Sequence, residues 1–435
     1  MTLIGLDDTD SRERGMCTTY LAARIAEAVE ARNGAVHDRL LVRLNPAVEQ
    51  KTRGNAALAL HVDLAPEAAF DLACAELDPL AEVEDPRTSP GVVVAPGGPD
   101  DVPAAVADFA RDAVRDFHTT DGAVALAETH GYRHRGWAGG RGRIGALAAV
   151  GADAAFADWT YEFVAYRDFT RCGTPREVDD ESVFAAAETG YPAVWDTVDR
   201  VEGETVCVPN APGPILYGIR GDDSRSVRAV ADAIDSESVE RVSLFRTNQG
   251  TDAHLREAVV DDRVGFEELR DGRAYRVTGV VASDPETRRG GHVFVSVRPV
   301  GGDGDAPGPE LDCVAFEPTK RFRDRVRALR PGDRLLVCGE VGDGTLKLEK
   351  FAVRELVRTE PATPTCPDCG RAMGSAGRNQ GYRCRDCGTA ASGKVDRPVE
   401  RDLDLGWYEV PPCARRHVAK PLVRGGFDGP THPER

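Results

Sequence analysis

Residues 4–21 read IGLDDTDSRERGMCTTYL, an apolar run followed directly by three aspartates. Asp7, Asp8 and Asp10 repel one another, so the cluster costs folding free energy unless something positively charged lies beside it. The apolar run predicts a β-strand, and residues 16–31 carry apolar side chains at helical spacing. The stretch therefore predicts a strand, an acidic turn and a helix, which is the start of an α/β unit.

The acidic turn is a candidate site for a metal and a nucleotide. Ligands of α/β folds often bind at the edge of the sheet where such a turn lies. Mg²⁺ prefers carboxylates, waters and phosphate oxygens as ligands, and the start of the next helix, near Gly15–Thr18, favours phosphate. We therefore predict that Asp7, Asp8 and Asp10 hold Mg²⁺ against nucleotide phosphates. A solvated acidic turn is the alternative interpretation.

The chain has 435 residues, a formal net charge of −17 and six lysines. Such a surface predicts a high-salt cytoplasm, because at molar salt the Debye length falls to about 3 Å and acidic self-repulsion is screened. An ordinary acidic protein is the alternative, and the charge excludes no nucleic-acid partner. The sequence has no run of about 18 apolar residues and no recognisable signal peptide. We expect a cytoplasmic protein without membrane spans.

The order of predicted elements indicates a multidomain α+β protein. Strands and helices alternate first, and two strand–helix–strand passages that suggest a ferredoxin-like unit follow. Five later strands, with a short helix at 320–329 between the third and fourth, match an OB-fold barrel, although a generic β-barrel has a similar pattern. The expected units are an N-terminal α/β domain at 1–130, a ferredoxin-like domain at 131–260, an OB-fold at 271–356, a zinc ribbon at 360–420 and a flexible tail at 421–435.

Four of the eleven cysteines form two C-x-x-C pairs, which indicate a zinc site. The predicted ligands are Cys366, Cys369, Cys384 and Cys387. Four thiolates bind Zn²⁺ tetrahedrally and leave no open position, so we expect a structural role. Two unrelated thiol pairs are the alternative. Cys413 with His417 is a weaker candidate pair, for which a buried cysteine and a surface histidine are the simpler interpretation.

A glycine-rich stretch, AGGRGRIG at 138–145, contains a GxGxxG pattern. The pattern alone is weak evidence, because no clear strand precedes it and no Walker lysine follows. Arginines between flexible glycines could nevertheless cover a polyphosphate with paired donors. The predicted nucleotide-binding residues here are Gly140, Arg141, Gly142 and Arg143, and a glycine-rich connector is the alternative.

Polar side chains are also concentrated in FRTNQGTDAH at 245–254, directly after a predicted strand. Several hydrogen-bonding residues at a strand end often mark a binding site. We predict that Arg246, Asn248, Asp252 and His254 bind substrate, and a polar interdomain loop is the alternative.

The segments IGLDDTDSRERGMCTTYL, GGRGRIGALAAVG and FRTNQGTDAH resemble the signature segments of the archaeal tRNA(Ile) 2-agmatinylcytidine synthetases, also called agmatidine synthases. The order of the parts is similar too, with a kinase-like N-terminal domain first and a zinc ribbon last. The resemblance covers essentially the whole chain.

The resemblance implies a reaction on the wobble cytidine of the isoleucine tRNA with a CAU anticodon. Agmatine replaces the 2-oxo group of the base, ATP is consumed to AMP and phosphate, and the modified tRNA reads AUA. The family activates the base by phosphorylating this oxygen, which turns a poor leaving group into phosphate. A threonine of the C-T-T segment also becomes phosphorylated, and this residue is Thr18 here.

The resemblance also implies roles for the residues named above. Asp7, Asp8 and Asp10 would hold Mg²⁺ against the ATP phosphates, while Arg141 and Arg143 would stabilise developing negative charge.

The agmatine guanidinium needs a carboxylate, for which we name Asp252, Glu162 or Asp168. His254 is a candidate base for the amine. In the short helix of the barrel, Arg323, Arg327 and Arg330 have the spacing of a basic stripe that could grip tRNA, and a solvated helix face is the alternative.

Two other functions remain open from the sequence. One is an OB-fold and zinc-ribbon protein that binds nucleic acid and carries a regulatory nucleotide-binding domain, which would bind without turnover. The other is a lysidine-type synthetase that uses lysine and releases pyrophosphate.

Overall fold

A nine-stranded sheet forms the first half of the protein, whose computed structural model describes residues 1–51, 54–258, 266–300 and 309–435. The sheet order is β5-β4-β1-β3-β2-β11-β6-β10-β7. Its strands are β1 (Thr2–Asp7), β2 (Val36–Arg43), β3 (Ala56–Val62), β4 (Gly91–Pro96), β5 (Arg133–Gly136), β6 (Thr160–Arg167), β7 (Val194–Trp195), β10 (Ile215–Gly221) and β11 (Val239–Thr247); a separate hairpin is formed by β8 (Val198–Asp199) and β9 (Glu204–Thr205).

Helices cover both faces of this sheet because its central strands are apolar on both sides. Ile4 and Leu6 of β1 belong to the core under α1 and α2, whereas Leu3 belongs to the core under α5. The helices of this half are α1 (Thr18–Glu30), α2 (Pro66–Leu77), α3 (Ala104–Ala113), α4 (Thr120–Thr129), α5 (Arg143–Ala155), α6 (Asp180–Gly190) and α7 (Ser224–Asp232). The strand, acidic turn and helix expected at the N-terminus are therefore present.

The two units expected at 1–130 and 131–260 share this single sheet. Strand β2 pairs in parallel with β11, with Leu40 opposite Arg246 and Leu41 opposite Thr247. Helix α5, which the sequence analysis assigned to the second unit, packs on β1, β3 and β4 of the first. The packing is close: a Cβ on Gly5 would lie 2.1 Å from the carbonyl oxygen of Ala146. Residues of the two expected units therefore lie side by side at one edge of the shared sheet.

A closed β-barrel follows, in which β13 pairs with β15, β15 with β16, β16 with β18, β18 with β17 and β17 with β13. Its core is apolar and includes Val277, Val295, Val337 and Phe351. The elements of this region are β12 (Leu255–Glu257), β13 (Ala274–Val281), β14 (Glu286–Thr287), β15 (Val293–Arg298), β16 (Leu311–Ala315), α8 (Phe322–Arg327), β17 (Arg334–Gly342) and β18 (Thr345–Glu355).

The expected basic stripe on the barrel helix is wrong in part. The helix ends at Arg327, so Arg330 lies beyond it. The guanidinium of Arg323 donates to the carbonyl oxygens of Lys320 and Gly291, which turns it onto the barrel. The three arginines therefore do not share one helical face.

The C-terminal region begins with small strand pairs around the cysteines: β19 (Thr359–Ala362) with β23 (Val395–Pro398), and β20 (Gly374–Ser375), β21 (Tyr382–Arg383) and β22 (Ala390–Ala391) as a three-stranded sheet. Strand β24 (Gly406–Glu409) then returns to the barrel and pairs with β18. No helix in the described parts of the chain has the length and apolar character of a membrane span.

Residues 421–435, which we expected to be a flexible tail, pack against the rest of the protein. Strand β25 (Thr431–His432) pairs with β24, and the ring of His432 stacks on Tyr408 at 4.4 Å. Arg321 donates to the Glu434 carboxylate at 2.5 Å. Apolar and charged contacts with distant residues hold this segment in place. The local sequence does not show these contacts.

Candidate functional site

The acidic turn lies at the end of β1, where the chain leaves the sheet. Asp8 has a positive φ of 62°, and its backbone N–H donates to the Asp7 carboxylate at 2.7 Å. The Asp8 carboxylate accepts a hydrogen bond from the Arg141 guanidinium at 2.6 Å. The turn and the glycine-rich stretch, far apart in sequence, are therefore in direct contact.

Glycines allow this contact. A Cβ on Gly142 would lie 2.6 Å from the Asp7 carbonyl oxygen, and one on Gly145 would lie 2.0 Å from the Asp7 carboxylate. Real Cβ atoms do not approach that closely, so only glycine lets the start of α5 lie against the end of β1. The GxGxxG pattern thus shapes a close approach of helix and strand.

The two first aspartates lie in a poorly solvated position. Burial, reinforced by the neighbouring Asp8 carboxylate, raises the pKa of Asp7 well above its ordinary value. Burial also raises the pKa of Asp8 to about 6, although Arg141 opposes this shift. Concentrated and incompletely compensated negative charge of this kind favours a bound cation.

A cleft with about 770 Å³ of empty space opens over this turn. We call it the aspartate cleft; its wall includes Asp7, Asp8, Asp10, Lys51, Asn55, His118, Arg141 and Gly142. A wall with both carboxylates and cations supplies the groups that a nucleotide and a divalent ion bind.

A second cleft, with about 780 Å³ of empty space, adjoins the first. We call it the threonine cleft; its wall includes Thr18, Thr19, Arg43, Glu162, Arg176 and His417. Asp10, Gly54 and Ala56 line both clefts. A group bound in one cleft therefore lies next to a group bound in the other.

Thr18 is the first residue of α1, where backbone N–H groups face outward. Its hydroxyl oxygen accepts a hydrogen bond from the Thr9 hydroxyl at 3.0 Å. The predicted acceptor threonine thus lies in a cleft wall at a helix N-terminus, a position that stabilises phosphate.

A polar network that was largely missed from the sequence surrounds Glu162 in the wall of the threonine cleft. Gln249 donates to the Glu162 carboxylate at 2.5 Å, and Arg220 lies 3.5 Å from the same group. Arg43 lies 3.9 Å from Glu162, and burial lowers the pKa of Arg43 to about 10. Glu162 was one of three carboxylates named for agmatine; no local pattern indicated its partners, which come from different strands.

The four residues predicted from 245–254 to bind substrate line neither cleft. The Arg246 guanidinium binds Asp38 and Asp153, each at 2.6 Å. The Asn248 side-chain oxygen accepts the Arg43 backbone N–H, and the Asn248 side-chain nitrogen donates to the Arg43 carbonyl. These two hydrogen bonds extend the β2–β11 pairing.

The remaining two hold the barrel region in place. The carboxylate of Asp252 binds the Lys350 ammonium at 2.8 Å, and His254 binds Glu349 at 2.9 Å, with all four side chains buried. The alternative interpretation of this segment, a polar interdomain loop, describes these contacts better than a substrate site does.

Other predicted residues also have structural partners. Arg143 donates to the carbonyl oxygens of Gly140 and Gly139 and does not line the aspartate cleft. Asp168 caps a short 3₁₀ turn by accepting from Thr170. Cys413 lies beside Asp199, whereas His417 lies in the threonine cleft, so these two do not form the weak metal pair considered above.

The four predicted zinc ligands come together. The sulfur atoms of Cys366, Cys369, Cys384 and Cys387 all lie within 4.8 Å of one another. Each pair ends in a tight turn at a glycine with positive φ, Gly370 and Gly388, and the Gly370 and Gly388 N–H groups bond the carbonyls of Cys366 and Cys384. Two equivalent turns that present four thiols fit tetrahedral Zn²⁺.

Comparison with known proteins gives a consistent result over the whole chain. Three family models match: the TiaS TCKD domain over residues 3–67, the TiaS FLD domain over 140–254 and the TiaS C-terminal zinc ribbon domain over 363–403. A relative from Haloquadratum walsbyi, the isoleucine-tRNA 2-agmatinylcytidine synthetase TiaS, is 58% identical and covers 100% of both chains.

Two solved structures are also similar over their full length. One is described as a complex of TiaS with its isoleucine tRNA and ATP, with 40% identity, a TM-score of 0.85 and coverage of 100% of this chain and 99% of that one. The other is described as a complex of TiaS with its isoleucine tRNA, AMPCPP and agmatine, with 38% identity, a TM-score of 0.84 and the same coverage.

Proposed function

The chain belongs to the tRNA(Ile) 2-agmatinylcytidine synthetase family, and on this premise we propose that it is an ATP-dependent carbon–nitrogen ligase acting on tRNA. It conjugates agmatine to carbon 2 of the wobble cytidine in the CAU anticodon of an isoleucine tRNA. The two adjoining clefts carry the proposal, because the reaction must bring ATP, agmatine and an extruded base together. The related structures are described as complexes with an isoleucine tRNA, with ATP or an analogue, and with agmatine.

We assign ATP to the aspartate cleft. Asp7, Asp8 and Asp10 supply carboxylates to its wall. Arg141 supplies a cation, and Gly142 lets the backbone come close to the phosphates. Within the described parts of the chain, the three carboxylates do not form a closed cage of metal ligands. This fits Mg²⁺, since that ion commonly takes one or two carboxylates and completes its shell with water and phosphate oxygens. Mg²⁺ would neutralise phosphate charge there.

Transfer of a phosphoryl group depends on positioning and on compensation of charge. Arg141 lies beside Asp8 in the cleft wall and would face the phosphates there, and Mg²⁺ held by the aspartates would supply further compensation of phosphate charge. Thr18, in the neighbouring wall, is placed to accept a phosphoryl group, and the cytosine 2-oxo oxygen is the other acceptor. Phosphorylation makes that oxygen a good leaving group.

We assign agmatine to the threonine cleft. Its guanidinium needs a buried carboxylate with paired acceptors; Asp10 and Glu162 both line this wall, and Glu162 is the buried one. Asp252, which we also named from the sequence, is committed to Lys350. The primary amine then points toward Asp10 and the aspartate cleft, where the activated base is formed.

The remaining parts serve to hold the tRNA. We propose that the closed barrel is an OB-fold, which its strand pairing supports, and that the two halves of the large sheet are the kinase-like and ferredoxin-like domains. The barrel and the zinc ribbon would bind the tRNA through its phosphates and recognise its shape, because a base pocket alone cannot select one tRNA. We propose that the reaction takes place in the cytoplasm, where tRNA is available.

The experiment that tests this function uses wild-type protein, ATP, Mg²⁺, agmatine and the CAU-anticodon tRNA in high salt, with mass analysis of the digested nucleosides. We expect a cytidine heavier by agmatine minus water, together with AMP and phosphate. Asp8→Asn should lower the rate by a factor of about 10² or more with little loss of tRNA binding, and Asp63→Asn at an exposed aspartate is the matched control.

The other candidate functions give different results in the same assay. Bound but unmodified tRNA would favour a nucleic-acid-binding protein with a nucleotide sensor. When lysine is added to this assay, a lysine adduct with released pyrophosphate would favour a lysidine-type synthetase.

A further inference from the structure

A histidine from the C-terminal segment enters the wall of the threonine cleft. His417 lies after the zinc ribbon, and its backbone carbonyl accepts the Gly250 N–H at 2.8 Å. The carbonyl of the next residue, Val418, accepts the N–H groups of Thr251 and Asp252. These bonds fix the main chain on the end of β11, so the imidazole is held in the cleft with Thr18 and Glu162.

The imidazole has an unusual environment. Its Nδ1 is buried without a hydrogen-bond partner among the residues that the structure describes. Arg43 on β2 and Arg220 on β10 face it, and Glu162 on β6 and Arg176 line the same cleft. Burial, helped by the charges of Arg220 and Arg43, holds the pKa of His417 well below its ordinary range. The ring is therefore neutral, and it lines a cleft that we assign to a substrate.

Other histidines near the site are less suitable. His254, our candidate from the sequence, is bonded to Glu349 and lines neither cleft. His118 lies in the wall of the aspartate cleft, where its ring packs on Phe109 at 4.2 Å. His417 is the histidine in the cleft that we assign to the amine.

We propose that His417 is the base that accepts a proton from the primary ammonium of agmatine. The proposal rests on the proposed function, and it adds a catalytic residue to it. A primary ammonium carries no lone pair and cannot attack carbon.

One N–H bond of the ammonium breaks, and the proton moves to an imidazole nitrogen of His417. The freed electron pair of the amine forms a bond to carbon 2 of the phosphorylated cytosine. The bond from carbon 2 to the phosphorylated oxygen breaks, and its electron pair leaves with phosphate. The second proton of the new nitrogen passes to the departing phosphate, whose negative charge stabilises the imidazolium.

The test compares His417→Asn with wild-type protein, and His37→Asn at an exposed histidine is the matched control. We expect His417→Asn to lower agmatine incorporation by a factor of about 10² to 10⁴, while phosphorylation of Thr18 from labelled ATP continues within about threefold. Added imidazole should restore part of the incorporation rate. The control variant should match wild type in both measurements.

A second amine substrate distinguishes a role of His417 as a base from a purely structural role. Hydroxylamine is unprotonated at neutral pH, so its incorporation needs no base, and wild type and His417→Asn should incorporate it at similar rates. Equal loss with both amines, in His417→Asn and in His417→Gln, would overturn the proposal, as would agmatine incorporation within threefold of wild type. Wild-type protein that forms no adduct would instead contradict the proposed function itself.

Discussion

The Asp8 carboxylate and the Arg141 guanidinium lie 2.6 Å apart although 133 positions separate them in the sequence. The pair joins the acidic turn after β1 to the glycine-rich start of α5, and both side chains line the aspartate cleft. It places a cation beside a carboxylate at the point where we propose phosphate to bind. The same Arg141 guanidinium also donates to the Arg87 carbonyl at 2.5 Å, which fixes its direction.

The first prediction concerns the two arginines of the glycine-rich stretch. Arg141→Ala should raise the KM for ATP about tenfold, because it removes a charge-assisted contact worth about 1.5 kcal/mol. Arg143→Ala is the matched variant, and its KM for ATP should stay within twofold, since its guanidinium binds loop carbonyls outside the cleft. Steady-state kinetics at varied ATP measures both. A larger effect at Arg143 would restore the interpretation made from the sequence.

The second prediction concerns the close approach of α5 to Asp7. Gly145→Ala adds a Cβ that would lie 2.0 Å from the Asp7 carboxylate, so either the helix or the aspartate must move. We expect a loss of about 1–3 kcal/mol in the free energy of unfolding and a fall in activity of at least tenfold.

Gly393→Ala is its control, because nothing lies within 4 Å of the added atom there. Denaturant unfolding and the tRNA assay measure the two effects. A Gly145→Ala protein with wild-type stability and rate would show that the helix start is not constrained by Asp7.

The third prediction concerns the zinc ribbon. Metal analysis of the purified protein should give about one Zn²⁺ per chain, and Cys384→Ser should lower this value to near zero because tetrahedral binding needs all four thiolates. Cys172→Ser, outside the four-cysteine cluster, should keep the metal. Unchanged zinc in Cys384→Ser would refute the assignment of the ligands.

The fourth prediction separates a structural role of Asp252 from a role in substrate binding. Asp252→Ala leaves the Lys350 ammonium buried without its partner, which should cost about 3–5 kcal/mol of stability. The double variant Asp252→Ala with Lys350→Met should recover part of this loss, because it removes the ammonium that Asp252→Ala leaves without its carboxylate.

Unfolding in urea measures the stabilities, and the KM for agmatine of any folded variant measures the second role. A stable Asp252→Ala protein with a strongly raised KM would favour the substrate site predicted from the sequence.

The fifth prediction concerns pH. Burial alone would raise the pKa of Glu349, but the neighbouring His254 and Arg416 outweigh burial and lower it from 4.5 to about 2. A carboxylate with a depressed pKa in the folded state stabilises the protein above the unfolded pKa. This stabilisation, about 3 kcal/mol, is lost as the pH falls from about 4.5 toward 2.

Glu349→Gln should therefore reduce the acid dependence of stability in this window, whereas Glu188→Gln at an exposed glutamate should not. Urea unfolding between pH 5 and pH 3 measures the difference. Identical pH slopes for wild type and Glu349→Gln would contradict the shift.

Local patterns were sufficient where one short segment supplies the whole feature. The strand before Asp7, the helix from Thr18 and the paired cysteines were all predicted, because an alternating or helical pattern and a C-x-x-C turn each act over a few residues. The order of the family's segments identified the family itself, which the relatives confirm. Arg246, Asn248, Asp252 and His254 have protein partners and line neither cleft, and their assignment to substrate stays a prediction, because polarity at a strand end does not tell which side chains face a cavity.

The sequence by itself therefore determined the family, the acidic turn, the threonine at the helix start and the cysteine cluster. Only the tertiary structure decided that β2 and β11 join two expected domains in one sheet, and that His417 lies in a cleft with Thr18 and Glu162. The physical reason is that these neighbours are separated by hundreds of residues along the chain. Their contacts come from strand pairing and from the docking of the C-terminal segment, which depend on the packing of the whole molecule.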